Sequence, residues 1–460
     1  MMTKRRRAAA VCAAALLVLG SACTNDDDDP SSSDGDTTET SASGNVADQI
    51  DAILEDCPEG TDTAGIDGNT IKLVSSYPQE GALAAFAEIA KGYNAYFDMV
   101  NKNGGVEIAG EKYMIEVETF NDNYDPSATV ENITTAFGPD GDGAFAAFSV
   151  VGTANNLAIR DDLNDLCVPN IFASTGSPAM GNPDFPWMIG STLPLYSTEA
   201  AAFAEYLKTE KPDATVAMLL QNGEYGDGYE QAFAKAIEGS EITVVETQRY
   251  DAGLATDVSA QVTVLANTKA DVFFNGATLL PCPTGLQKAD ELGWDAIKYV
   301  SGTCASKTLI GAAGVSAEGA LSASNVMDPN NPAYDADERM KLYKETVDAW
   351  RTANNIEGAD VTNGVVAYGW TLADLFVKAL ESSEGASRSQ VMSALNNIDV
   401  KAPGVLYEEI SVKTGADDRF LGEAVKIGRY NGTTLTFEPL EGVYDFEGGE
   451  AIPPALITGG

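Results

Sequence analysis

The sequence predicts an α/β chain of two doubly wound, Rossmann-like lobes joined by a three-segment hinge. Three observations predict it. About 400 residues follow a polar N-terminal region, too many for one small core and enough for two domains. Short apolar runs alternate with amphipathic helical stretches, the rhythm of a parallel sheet covered on both faces. That rhythm then restarts midway along the chain.

In the first series, strand-like runs at Ile71–Ser75, Tyr113–Thr119, Ala144–Val151 and Asn170–Ala173 alternate with helical stretches at Leu83–Asn101, Ala128–Phe137 and Asn156–Leu166. Gly104-Gly105 stops the first helix. The second series runs helix Thr198–Lys208, strand Thr215–Leu220, helix Tyr229–Glu238, strand Ile242–Glu246 and helix Val258–Ala266. Strand Asp271–Asn275, helix Gly285–Leu292 and strand Ile297–Ser301 complete it. The rest breaks the pattern. Helical stretches at Ala336–Ala353, Gly364–Leu380 and Ser389–Leu395 precede strand-rich sequence at Val405–Val412 and Ala424–Phe437. These late elements join lobes already begun, so crossings are expected near Leu193–Ser197, Ser322–Val326 and Ala402–Leu406. Lobe 1 is then 67–195 with 326–403, lobe 2 is 196–325 with 404–440, and 441–460 is a C-terminal tail.

The N-terminus reads as an export signal over residues 1–22. Lys4, Arg5, Arg6 and Arg7 precede an apolar run from Ala8 to Leu19, then Gly20-Ser21-Ala22 and Cys23. The run is too short to span a membrane as a helix. Small residues directly before a cysteine resemble the lipobox of bacterial lipoproteins, which implies acylation of Cys23, although Gly20 stands where a larger apolar residue is usual. Residues 23–66 open with Asp26-Asp27-Asp28-Asp29 and a Ser/Thr/Gly/Asp-rich stretch. Such sequence buries too little apolar surface to offset chain entropy and is expected to be a disordered, lipid-anchored tether.

Composition excludes several function classes. The formal net charge of −41 repels nucleic acid and anionic headgroups, leaving the lipid anchor as the expected membrane contact. Histidine is absent, which removes His-based triads and His zinc ligands. Neither a nucleophile elbow nor a Walker or dinucleotide glycine motif is found. A carboxylate pair for glycoside cleavage is the enzyme chemistry that composition leaves open. Beyond Cys12 and Cys23, four cysteines remain, and an even number in an exported chain favours two disulfides. Of three pairings, Cys57–Cys167 with Cys282–Cys304 is preferred because each bond stays within one lobe. No close CxxC pair points to zinc, and no metal or cofactor is expected.

Ligands of open α/β sheets bind beyond the carboxyl ends of the strands. In the first lobe those positions are Ser75-Ser76-Tyr77, Asn121-Asp122, Gly152-Thr153-Ala154-Asn155 and Ser174-Thr175-Gly176-Ser177. In the second they are Gln221 to Tyr225, Gly276-Ala277-Thr278 and Ser301-Gly302-Thr303. The set is rich in hydroxyls, amides and glycine. A helix starting at Thr153-Ala154 offers free N–H groups to a carboxylate, Ser174 and Thr175 offer hydroxyls, and Gly176 permits close backbone approach. Capping and turn formation are the alternative roles for these residues. Tyr77, Trp187, Tyr196 and Tyr225 lie near the same edge and suit the apolar part of a ligand, with core packing favoured for Tyr196. Tyr77, Gly152, Thr153, Ala154, Ser174, Thr175, Gly176, Tyr225, Ala277 and Thr303 are the candidate ligand-binding residues.

Several stretches in order carry a resemblance. They are Ser76-Tyr77-Pro78-Gln79-Glu80-Gly81, Gly92, Asn101 to Gly105, Asn123-Tyr124-Asp125-Pro126 and Gly152 to Asn156. Ser174 to Pro178, Phe185-Pro186-Trp187, Gln221-Asn222 through Tyr225-Gly226, and Tyr368-Gly369-Trp370 follow. Over roughly Thr70 to Phe437 the chain resembles type I periplasmic binding proteins of the leucine/isoleucine/valine-binding kind. The resemblance implies two lobes closing on a ligand like a clamshell, with binding loops at Thr153 and Ala154, Ser174 to Gly176, and Tyr225. It further implies an extracytoplasmic monomer, anchored at Cys23, that captures an amino acid, amide or small carboxylate for an ABC transporter permease. Two departures speak against an ordinary branched-chain amino acid. No acid stands in Ser301-Gly302-Thr303-Cys304, where amino-acid binders pair the ligand ammonium, and Glu80 replaces a usual threonine. The alternative function is a ligand-sensing receptor domain of the same fold that signals to a membrane partner.

Overall fold

The computed structural model describes residues 57–138, 143–251 and 257–458, together with Ile53 and Leu54. The export signal, Cys23 and most of the expected tether lie outside the described residues. No helix among those described is long and apolar enough to cross a membrane.

The first lobe is a seven-stranded sheet. Its strands are β1 (Ile66–Asp67), β2 (Thr70–Tyr77), β3 (Val106–Ile108), β4 (Glu111–Asn121), β5 (Ala146–Phe148), β6 (Asn170–Ala173) and β7 (Met188–Gly190), in the order β3-β4-β2-β5-β6-β7, with β1 on β2. Pairing from β4 through β7 is parallel. The connecting helices are α1 (Glu88–Lys102), α2 (Pro126–Phe137) and α3 (Thr153–Asp165). Local chemistry sets their ends: Asp125 caps α2 through Ser127 N–H with Pro126 in the first turn, and Gly104 and Gly105 follow α1 at φ +98° and +87°.

The second lobe begins with α4 (Tyr196–Glu210), β8 (Thr215–Gln221), α5 (Glu224–Ala236), β9 (Thr243–Tyr250), α6 (Ser259–Asn267) and β10 (Val272–Gly276). It continues through α7 (Pro281–Glu291), β11 (Ile297–Val300), α8 (Lys307–Ala312) and β12 (Leu321–Ser324). The chain returns to the first lobe for α9 (Glu338–Ala353), α10 (Gly364–Ser382), α11 (Arg388–Leu395) and the small ladder of β13 (Asp399–Lys401) and β14 (Ser411–Lys413). It ends with β15 (Ala424–Asn431), β16 (Thr436–Pro439), β17 (Tyr444–Asp445) and α12 (Pro454–Thr458). The second sheet runs β16-β15-β12-β11-β10-β8-β9, with β17 on β15. It is parallel from β9 to β12 and closed by the antiparallel β15 and β16. Strands buried on both faces explain the unbroken apolar runs: Val216 to Leu220 are fully buried.

Both disulfides form within single lobes, Cys57–Cys167 and Cys282–Cys304, with Cα atoms 5.7 and 6.2 Å apart. The first corrects the expected extent of the tether. Ordered chain is present at Cys57, and Asp62 accepts Ser389 N–H (2.8 Å) while its carbonyl accepts Arg388 N–H (2.8 Å). A cross-link and a hydrogen-bonded turn hold this polar segment, which lacks apolar periodicity.

The crossings run side by side. Leu195 N–H donates to the Gly422 carbonyl (2.9 Å), Asn325 Nδ2 to the Thr192 carbonyl (2.6 Å), and Tyr407 N–H to the Asn325 carbonyl (3.0 Å). The third crossing differs from the expected Ala402–Leu406. Val405, Leu406, Ile410 and Val412 are buried in the first lobe's core, so residues 404–413 belong there and the chain crosses between β14 and β15. The expected C-terminal tail packs down: β17 pairs with β15, and Ile452, Leu456 and Ile457 join Leu195 and Phe420 behind the crossings.

Helices α1 and α10 set the first lobe's interior through two glycines. A Cβ on Gly92 would lie 2.0 Å from the Val366 carbonyl oxygen, and one on Gly369 would lie 2.0 Å from that of Ile89. Backbone cannot yield as a side-chain tip does. Overpacking costs about 1–3 kcal/mol, against the about 1 kcal/mol that alanine gains over glycine in a helix. Gly369→Ala is therefore expected to lower unfolding stability by about 2 kcal/mol, read as a lower urea midpoint at unchanged slope.

Candidate functional site

A cleft of about 160 Å³ lies at the carboxyl ends of both parallel sheets, bounded on one side by the crossings. The first lobe contributes Phe86, Ile89, Tyr124, Gly152, Ser174 and Tyr368. The second contributes Tyr225, Thr278, Gly302 and Thr303, and Leu193, Pro194 and Tyr196 come from the first crossing. Of the candidate residues, Gly152, Ser174, Tyr225 and Thr303 line this space.

The other six stand elsewhere. Tyr77 is packed into the first lobe's core and Ala277 into the second's. Thr153 and Thr175 turn their hydroxyls toward each other (2.6 Å), and Thr175 continues to the Tyr196 hydroxyl (3.1 Å). Ala154 is solvent-exposed in the first turn of α3. Gly176 packs on the crossing, where an added Cβ would lie 2.5 Å from the Pro194 carbonyl oxygen. Apart from the exposed Ala154, these residues support the walls from within while their neighbours form the surface. Tyr196, expected in the core, both packs there and lines the cleft; Trp187 stays in the core.

Tyr124 forms the first lobe's aromatic wall through an unusual turn. Asn123 and Tyr124 have φ of +50° and +63°, conformations that cost energy for side chains of this size. Buried Asp122 holds the turn by accepting Tyr124 N–H (2.8 Å), the Ser76 hydroxyl (2.8 Å) and the Thr129 hydroxyl (3.1 Å). Gly152, at φ +109°, leaves room for the ring: a Cβ there would sit 2.8 Å from Tyr124 Cε2. Phe86 stacks on Tyr124 with centroids 6.1 Å apart. Across the cleft, Tyr196 and Tyr225 meet edge to face at 4.7 Å.

The polar part of the surface is hydroxyl. Tyr225 and Thr303 hydroxyls are 3.0 Å apart, Thr303 and Ser301 2.9 Å, and Ser301 donates to the Ala277 carbonyl (3.1 Å). On the other wall, Ser174 joins Ser149 (2.8 Å) and Tyr368 (3.1 Å), and Tyr368 donates to Ser191 (2.7 Å). The lining charges are engaged: Lys426 pairs with Glu409 (2.7 Å), and Lys307 reaches Thr362 of the first lobe (2.9 Å). Asp328 is the lining carboxylate, and its two oxygens accept N–H groups of Asn330 and Phe437.

An acid absent from the candidate set stands behind the 302–303 turn. Glu199, on α4, is fully buried; its Oε2 accepts Gly302 N–H (2.8 Å) and the Tyr299 hydroxyl (3.0 Å), while Oε1 has no partner among the described residues. No spacing rule identifies it, because one glutamate on a helix face reads as ordinary surface. Desolvation raises its carboxyl from 4.5 to about 7, opposed by the Gly302 and Tyr299 hydrogen bonds. The folded form thus holds the proton more tightly than the unfolded chain. Its contribution to stability is fully present below pH 4.5 and is lost as pH rises towards and through 7. The total is on the order of 3 kcal/mol. Glu199→Gln is expected to remove that slope. Denaturant unfolding at pH 5 and pH 8 should show the variant gaining on the wild type across this interval.

Residues 70–433 match the family described as "Periplasmic binding protein". A Leu/Ile/Val-binding protein homolog from Brucella melitensis is 28% identical over 204 residues, covering 43% of this chain and 52% of that protein; the chain thus spans about half the length of this relative. A branched-chain amino acid ABC transporter structure from Thermus thermophilus with bound valine superposes at TM-score 0.70 and 18% identity, covering 84% of this chain and 98% of that one. A fatty acid ABC transporter substrate-binding protein from Thermomonospora curvata gives 0.69 and 18%, covering 85% and 97%. At these identities the superpositions speak for fold alone, whereas the family match runs across both lobes and all three crossings. The chain has the type I fold and belongs to the periplasmic binding proteins, a family of extracytoplasmic solute binders rather than enzymes.

Proposed function

We propose that the chain captures a small organic acid or amide with an apolar body between its lobes and delivers it to an ABC transporter permease, tethered to the membrane through acylated Cys23. The observation that carries the ligand reading is the cleft surface itself. Tyr124, Phe86, Tyr196 and Tyr225 suit an apolar or planar body, and Ser174 and Thr303 supply hydroxyls to a carboxylate or amide head. An α-amino acid would bring an ammonium group, and the carboxylate offered to it, Asp328, already accepts two backbone N–H groups. Aromatic walls on opposite lobes give a bound solute more contact in the closed form than in an open one. That difference drives closure.

The test is native mass spectrometry of the purified protein, then calorimetry and thermal unfolding with small carboxylates, amides and amino acids. A fitting solute at a hundredfold excess over its Kd should add about 2.7 kcal/mol of stability. Tyr124→Ala should weaken that solute about tenfold or more, as loss of an aromatic contact of about 1.5 kcal/mol requires. A broad set in which nothing binds, or binding indifferent to Tyr124 and Tyr225, contradicts the reading.

A further inference from the structure

Behind the crossings, on the face away from the cleft, three carboxylates converge. Asp418 and Glu423 stand on the third crossing, and Glu447 follows β17 in the C-terminal segment. One carboxylate oxygen from each lies within 4.8 Å of the others. The backbone holds them in place. Gly415 N–H closes a turn on the Asp418 carbonyl (2.7 Å), and Asp418 Oδ1 accepts Phe420 N–H (3.1 Å). Phe446 N–H donates to the Glu423 carbonyl (3.2 Å), and Glu423 Oε1 accepts Gly449 N–H (2.6 Å).

An acidic cluster alone signifies little. Here a second observation points to a ligand. Glu423 is only 4% exposed, and its Oε2 is buried with no hydrogen-bond partner among the described residues. A buried, unpartnered carboxylate oxygen on a side chain that converges with two further carboxylates is a costly arrangement that a positive ion relieves. The nearby positive charge is Lys413 on the Glu447 side, set against the negative field of Asp418, Asp445 and Asp399.

We propose that Asp418, Glu423 and Glu447 form a binding site for a hard divalent cation, fitted to Ca²⁺, that clasps the C-terminal segment onto the third crossing. The donors are all oxygen, the set Ca²⁺ prefers. Oxygens bound to one Ca²⁺ ion at about 2.3–2.6 Å stand no more than about 5 Å from one another, a limit these three meet, and water completes the shell. The expectation of no metal came from missing histidine and close cysteine pairs. A carboxylate site assembled from residues 418, 423 and 447 has no such local signature. The bound ion would fasten the segment whose Ile452 packs on Leu195 and Phe420, bracing the hinge from behind without touching the solute.

The proposal does not depend on which solute the cleft accepts. Its test uses the full chain, stripped with EDTA and exchanged into chelator-free buffer with 150 mM NaCl. Calorimetric titration with CaCl₂ should show one saturable site, and 1 mM CaCl₂ should raise the melting temperature by several degrees, with MgCl₂ weaker. Glu447→Gln, at an exposed position that leaves folding intact, should weaken Ca²⁺ at least tenfold, and Glu423→Gln should abolish the response. Absence of saturable binding in the wild type overturns the proposal. So does an unchanged Ca²⁺ response in Glu447→Gln, which would mean diffuse attraction to an acidic surface. A cluster that shares a proton instead would make Glu423→Gln more stable without any wild-type Ca²⁺ response, and that result also overturns it.

Discussion

Everything about this molecule depends on three chain segments passing side by side between two sheets with almost no side-chain volume between them. A Cβ on Gly422 would fall 2.1 Å from the Leu193 carbonyl oxygen, so the first and third crossings touch main chain to main chain. Leu195 and Gly422, Thr192 and Asn325, and Asn325 and Tyr407 then exchange hydrogen bonds across the bundle. Such a bundle is narrow and hydrogen-bonded from segment to segment. It fixes which strand ends face one another while leaving rotation about the segments as the cheapest large motion.

The facing strand ends divide the labour between surface and support. Tyr124, Tyr225, Ser174 and Thr303 meet the cleft, whereas Thr153, Thr175, Asp122 and Glu199 hold those groups in place from behind. The supporting groups carry the greater electrostatic burden. Asp122 stabilises a left-handed turn, and Glu199 fixes the Gly302–Thr303 turn at the expense of its own desolvation. The surface offers hydroxyls and aromatic faces, and its charged groups are already paired. A site of this kind selects by shape and hydrogen bonding more than by ionic attraction.

Much of the fold was legible because parallel strands buried on both faces leave continuous apolar runs, as Val216–Leu220 does, and amphipathic helices between them leave a different period. The third crossing was misplaced for a physical reason. Val405 to Val412 reads as strand, but its apolar residues fill the first lobe's core as mostly irregular chain, with only Ser411–Lys413 in a ladder. In the site, the strand-end loops were legible as loops; the direction of each side chain was not. Thr153 and Thr175 satisfy each other, and Tyr124 enters through positive φ values that a Tyr codon does not announce. Tyr124, Gly92 and Gly369 lay within stretches that carried the family resemblance. Their roles, an aromatic wall and a helix contact without side chains, emerge only when distant segments meet. Phe86, Tyr368 and Glu199 come from helices and a helical turn rather than strand-end loops, so a search along those loops passes over them.

The most direct measurement is a crystal structure of the protein purified without denaturation, with the cleft inspected for non-protein density. The account predicts a discrete small molecule between Tyr124 of one lobe and Tyr225 and Thr303 of the other, its polar end against hydroxyls. Ordered solute found only outside these walls, or the two lobes packed together with no room between those three residues, would contradict it.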